Sequence, residues 1–251
     1  MRKSIRVLIL VLALCLALSG SALANCFVDS EEALRANFRC LLDGVEYQMP
    51  IPVSELAANG WALSETGTLE AMTYSLYPNL LKGDAAIDVI VLNPTQETLA
   101  LEDCWIGEVS IDLNNDKQRA AAPMFALPNG VTVDSTAAEV LAAFNMTFEP
   151  VAAGQEVTGY NLDGSTSVFN IDEGYGLFEN GILTDYYLTD SVEDITCLSL
   201  DYDVTGANQS LSLNNNTMKV GENMIEFWFD RPIKEGDGSI TKITMKLMTQ
   251  N

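Results

Sequence analysis

The 251-residue chain carries 13 Lys+Arg against 35 Asp+Glu, a formal net charge of −22 at pH 7, and no histidine. That field repels nucleic acid and anionic membranes, which are bound through clusters of Lys and Arg, and without imidazole there is no Ser-His-Asp or Cys-His catalysis and no ordinary zinc site. An apolar fraction of 48% suits a packed core rather than an acidic disordered tail.

The N-terminus places Arg2, Lys3 and Arg6 before an apolar run from Val7 to Leu18 and small residues ending in Ala22-Leu23-Ala24. This is the grammar of a secretory leader, residues 1–24, with cleavage after Ala24. A helix over that apolar run reaches ~18 Å, short of the ~30 Å of a hydrocarbon core, so no membrane span is expected. Leu23-Ala24-Asn25-Cys26 also resembles a lipobox, but Asn25 stands where Gly, Ala or Ser is usual. Simple cleavage is therefore favoured over a lipid anchor on Cys26, and the expected location is secreted or cell-surface. Beyond the leader lie Cys26, Cys40, Cys104 and Cys197. An even number in an exported chain makes them candidate disulfide cysteines, with three pairings open.

Short strand and helix signals follow. Phe38 to Leu42 and Val45 to Met49 flank Asp43-Gly44, a two-residue hairpin signal. Ser54 is expected to cap a helix from Glu55 to Asn59 that closes at Gly60, with Trp61 packed beneath it. Strands are predicted at Met72 to Leu76, Ala86 to Leu92 and Cys104 to Asp112. Strict alternation in the last puts Trp105, Gly107, Val109 and Ile111 on one face, and Ile106, Glu108, Ser110 and Asp112 on the other. Residues 116–122 read as a linker. Leu127 to Gly130 reads as a turn, and Thr136 with Glu139 has capping-box spacing ahead of the stripe Ala137, Val140, Leu141 and Phe144. Strands are then expected at Val157 to Leu162 and Ser167 to Ile171, turning at Asp163-Gly164, and at Ile182 to Leu188 and Ile195 to Val204. Met224 to Phe229 and Ile240 to Leu247 form a C-terminal hairpin.

The segments Glu102 to Ile111 and Glu193 to Val204 echo each other, each with a cysteine opening a strand and each downstream of a Ser-marked helix start. The expectation is an α+β fold of two similar units, each a short helix on an antiparallel sheet. The first spans 25–115, the linker 116–122, and the second, with the C-terminal hairpin, 123–251.

The run Leu42 to Pro50, with Val53 to Leu56 and Asn59-Gly60-Trp61, resembles uncharacterised secreted tandem α+β proteins of Gram-positive bacteria. Pro128 to Thr136 resembles the opening of their second unit. More distantly, the expected architecture is similar to the β-lactamase inhibitor protein and outer-membrane assembly lipoprotein class, which implies protein binding rather than chemistry. The resemblance rests on fold-forming positions and brings no catalytic motif.

Calcium needs only oxygen ligands, but Asp112-Leu113-Asn114-Asn115-Asp116 has Lys117 where the loop needs Gly, and Asn161, Asp163, Ser165 and Asp172 have Thr166 there. No metal or cofactor is expected. A glycosidase needs two opposed carboxylates, and Glu108 with Asp112, or Asp201 with Asp203, share a strand face. Among the aromatics, Trp228, Tyr186 and Tyr187 are the candidate binding residues. The reading is a secreted, non-enzymatic binding or interaction protein for an unknown protein or glycan, with an extracellular carboxylate-dependent hydrolase as the alternative.

Overall fold

A computed structural model describes residues 21–28, 30–161, 165–204, 211–212, 219–220 and 223–247. In chain order the longer elements are β1 (Ser21–Val28), α1 (Glu31–Asn37), β2 (Arg39–Leu42), β3 (Val45–Gln48), α2 (Val53–Ala58), β4 (Asn79–Lys82), β5 (Ala85–Asn93), β6 (Trp105–Asp112) and α3 (Asp116–Ala121). Then come α4 (Ala137–Ala143), β7 (Met146–Val151), β8 (Glu156–Tyr160), β9 (Thr166–Asn170), β10 (Gly174–Glu179), β11 (Ile182–Leu188), β12 (Cys197–Val204), β13 (Met224–Phe229) and β14 (Ile240–Lys246). Among the described residues, strands account for 49% and helices for 18%. This overturns the expected α+β fold of two similar units. The four α-helices among the described residues are six or seven residues long. At about 1.5 Å per residue each makes barely two turns, too short to cover a sheet.

The largest sheet runs in the order β1-β12-β13-β14-β6-β5-β4, ending on Ala62–Leu63. Both echoing segments become strands of this one sheet, β6 and β12, each entered through a 3₁₀ turn, rather than the cores of two separate sheets. The C-terminal hairpin forms, since β13 and β14 are neighbours. β1 takes in Ser21–Ala24, the last residues of the proposed leader, and buries Ala24 and Cys26.

Two compact units divide the chain. One holds Cys26–Val133, Asp201–Glu226 and Thr241–Asn251. Its core lies on the inner face of β5, β6 and β14, where Ile87, Val89, Val91, Ile106, Val109, Ile111, Ile243 and Met245 are all at most 3% exposed. Phe38 meets Tyr202 edge to face at 5.3 Å. Full burial of such side chains contributes about 1.5–3 kcal/mol each. The Asp43-Gly44 turn has positive φ at both residues, 52° and 80°, as a type I′ hairpin requires. Helix α2 begins one residue before Ser54, on Pro52, with no side-chain cap, and ends at Gly60 with φ 86° as expected.

β6 departs from simple alternation. Its register against β5 shifts between Ile106 and Glu108, a bulge at Gly107. Ile106 therefore pairs with Val91 and joins Val109 and Ile111 in the core, while Trp105 pairs with Leu92 and turns to the outer face with Glu108, Ser110 and Asp112. The strand on the other side of β6 also changes at this point. Ile51–Pro52 pair with Ile106 and Trp105, and β14 pairs from Glu108 onward.

The other unit holds Asp134–Leu200 and Phe227–Ile240, with the N-terminal residues up to Asn25. Thr136 and Glu139 close the capping box that opens α4, and Ala137, Val140 and Leu141 are its buried stripe. The five-stranded sheet has the order β7-β10-β11-β8-β9. Within it Val151, Val157 and Phe178 form a small core with Phe169, Ile171 and Leu183 around it. Gly174 and Gly176 make room for aromatic rings: a Cβ on Gly174 would run into the Tyr187 carbonyl and the Tyr186 ring, and one on Gly176 into the Phe178 ring.

The bulge predicts an order of damage opposite to strict alternation. Ile106→Ala should cost about 3 kcal/mol, as a buried truncation does, and Trp105→Ala about 1 kcal/mol. Urea denaturation of the two variants reads the order directly.

Candidate functional site

The outer face of β4, β5, β6 and β14 carries a polar row. Asn79 pairs with Asp88, Asp88 with Ser110, and Ser110 with Thr244. The Asn79 amide donates to Asp88 Oδ1 at 2.7 Å, and the Ser110 and Thr244 hydroxyls meet at 3.1 Å, both residues buried. Asn79 is itself held at both ends of its peptide: its N–H donates to Ser64 Oγ at 2.8 Å and its carbonyl accepts from the Ser64 N–H at 2.8 Å.

Residues 116–121, expected as linker, form helix α3. Asn115 caps it, its side chain accepting from the Gln118 N–H at 3.0 Å. Gln118 Nε2 donates to Asp112 Oδ2 at 2.9 Å, and the Asn114 N–H to Asp112 Oδ1 at 3.1 Å. Asp112 thus ties the end of β6 to the helix that follows it.

Between this helix and the row lies a hollow of about 520 Å³, lined by Asn79, Asp84, Asp88, Asp112, Lys117 and Gln118, with Ser110 in its floor and Ala86, Ala121 and Ala122 supplying apolar wall. Its size falls in the range of small-ligand sites. Asp88, opposite Ser110, is the diagonal neighbour of Asp112 on the adjacent strand, a spacing of about 7–8 Å with the Cβ atoms somewhat closer. Three carboxylates against one ammonium make the hollow an acceptor-rich, negative surface. It suits a ligand that brings hydrogen-bond donors or positive charge.

Glu108 lies on the same outer face but does not line the hollow. Its carboxyl is 4.0 Å from the Lys246 ammonium, and Lys246 is itself buried. Burial pushes the Glu108 carboxyl above its ordinary value; Lys246 and Lys242 pull it down, and Glu226 and Asp88 push it further up. The desolvation of the Glu108 carboxylate outweighs the attraction of the two lysines. Glu108 and Asp112, four residues apart on a strand, are separated by about 13 Å along it. That exceeds the span a pair of glycosidase carboxyls needs.

The expected aromatic residues are placed elsewhere. Tyr187 is 7% exposed, donates its hydroxyl to Asp185 and packs its ring against Phe148 at 5.8 Å. Tyr186 donates to the Glu173 carbonyl at 3.1 Å. Trp228 is half-buried between the buried Phe227 and Phe229. None of the three lines the hollow.

Cys26, Cys40, Cys104 and Cys197 are all buried, and no disulfide joins them among the described residues. Burial raises the Cys40 thiol to about 12 and, with Asp103 adding to it, the Cys104 thiol to about 11. Asn161 Nδ2 donates to Ser165 and Ser167 hydroxyls within the β8–β9 hairpin, while Asp163-Gly164 lies outside the described residues. Among the described residues no three His, Cys, Asp or Glu side chains are grouped to hold a metal ion, and no helix is long and apolar enough to cross a membrane.

Sequence reasoning passed over Asn79, Asp88 and Gln118. Asp88 had a signal: it is the one charge in the apolar run Ala85 to Leu92. Gln118 had another, three residues after Asn115 as in a capping box. No family model matches the chain, and no curated protein or solved structure matches it either.

Two outcomes check this site. Lys246→Met removes the ammonium beside the half-buried Glu108 carboxylate and should cost about 2 kcal/mol at pH 7. The Glu108 carboxyl is raised in the folded state, so its ionised form opposes folding above the carboxylate range, and the cost should shrink as pH falls and the carboxyl takes up its proton. Urea titrations at pH 7 and pH 5 measure the difference. The raised thiols predict that iodoacetamide at pH 8 leaves Cys40 and Cys104 unlabelled in the native protein and labels both in guanidinium without reductant; peptide mass mapping reads the two states.

Proposed function

We propose that the protein is an exported, non-enzymatic binding protein whose ligand site is the hollow beside α3. The observation that carries this reading is the set of pinned acceptors. Asp88 is oriented by Asn79 and Asp112 by Asn114 and Gln118, so the hollow presents fixed carboxylates at small cost in side-chain entropy. Pinned carboxylates facing a hollow of this size support a small donor-rich ligand bearing hydroxyl or amino groups, such as a fragment of a glycan. The hydrolase alternative has less support. It calls for a proton-loaded carboxyl facing a cleft opposite a second one, whereas the raised carboxyl of Glu108 is engaged with Lys246.

Titration calorimetry with glucosamine, N-acetylglucosamine, glucose and spermidine tests the reading. At least one should bind, and Asp88→Asn and Asp112→Asn should each weaken it about tenfold, the loss of one charge-assisted hydrogen bond. Absence of binding by all four at 10 mM, or equal binding by the variants, would exclude the hollow as their site.

Release into the medium, rather than tethering through Cys26, is part of the same reading. Cys26 is 5% exposed and sits within β1, so a diacylglycerol on its sulfur would have to enter the core. Intact mass of the exported chain decides it: a start at Asn25 agrees, and a lipid-bearing Cys26 does not.

A further inference from the structure

Among the described residues the five-stranded sheet has two edges, β7 and β9, and they are defended differently. β7 reads Met-Thr-Phe-Glu-Pro-Val, with Glu149 and Pro150 exposed. A charge and a residue without an N–H are the usual guards of an open edge. β9 reads Thr-Ser-Val-Phe-Asn, with no charge, no proline and an unbroken register against β8. Four of its five residues are exposed, Val168 at 64%.

The backbone phase of β9 follows from its ends. The Asn161 N–H donates to the Ser165 carbonyl at 2.7 Å, and the Ile171 N–H to the Gln155 carbonyl at 3.4 Å. Antiparallel alternation then turns the peptide groups of Ser167 and Phe169 toward β8 and those of Thr166, Val168 and Asn170 toward the open side. The Phe169 ring anchors the strand, lying across Gly159, where a Cβ would come within 3.2 Å of it, and packing around Val151, Val157 and Phe178. An edge held in register with three peptide groups facing outward is set up for strand addition.

We propose that β9 is a docking edge for an extended, positively charged segment of a partner protein, which adds a sixth strand through Thr166, Val168 and Asn170. Charge selects this occupant. Between Arg119 and Lys219 the chain has no basic residue and 14 acids. A second copy brings the same acids to the edge, and a five-residue strand pair buries far less than the ~1,200 Å² of a stable interface, so repulsion between copies prevails. A cationic segment meets the same field as attraction. The edge shares no residue with the hollow beside α3 and stands or falls independently of it.

The test uses the full mature chain and a fluorescent nonapeptide of alternating Thr and Val with two lysines at each end. Anisotropy should show saturable binding that weakens from 50 to 300 mM salt and is at least tenfold tighter than for the same peptide ended in glutamates. Val168→Pro removes an outward N–H without touching the β8 ladder and should lower binding at least tenfold, while Val168→Thr should keep it. N-methylation of alternate peptide residues should abolish binding without altering the protein, which covers the case in which the proline variant does not fold. No binding up to 1 mM peptide, equal binding by the N-methylated peptide, or equal binding by a folded Val168→Pro variant overturns the proposal. So does sedimentation showing a dimer of the protein alone that Val168→Pro dissolves, which assigns the edge to a second copy.

Discussion

The bulge at Gly107 is the constraint on which the larger unit rests. β6 has to satisfy three neighbours: β5 along one side, and on the other first Ile51–Pro52 and then β14. The extra residue is absorbed where the partner changes, and the Gly107 carbonyl is taken up by the Leu247 N–H at 2.9 Å. Without that residue the period-two alternation would carry through, and either Ile106 or the Val109-Ile111 pair would face the wrong side. Ser110 and Asp112, the outer-face groups that β6 brings to the hollow, keep that face in this register while Ile106, Val109 and Ile111 share the core.

Much of the local structure was legible in the residues. Asp43-Gly44 demanded positive φ at both positions, and Thr136 with Glu139 announced α4, because turns and caps are local chemistry. The bulge was not legible, since Trp-Ile-Gly-Glu-Val alternates acceptably either way and only partners distant in sequence choose between the registers. The fold class was misjudged for a related reason. Helix starts give sharp local signals while strand order gives none, so short helices of two turns look in the sequence like one layer of each unit. Asn115 and Gln118 show the same asymmetry in reverse: the cap stands just before residues 116–122, whose composition reads as linker, and the helix runs through them.

The candidate site was the least visible part. Its pieces come from β4, β5, β6 and α3, and no spacing within one segment links Asn79 to Asp88, or Asp88 to Asp112, until the sheet aligns them. The tyrosines expected as binding residues are used for packing, Tyr186 over Gly174 and Tyr187 against Phe148. In a chain so rich in acids, the informative carboxylates are those with fixed donors, and the sheet is what brings Asp88 and Asp112 to one hollow.

The pairing of Ser110 with Thr244 spans 134 residues. The central strand of the large sheet therefore stays without its β14 neighbour until more than a hundred further residues have been synthesised. Contacts of such long sequence separation make closure slow.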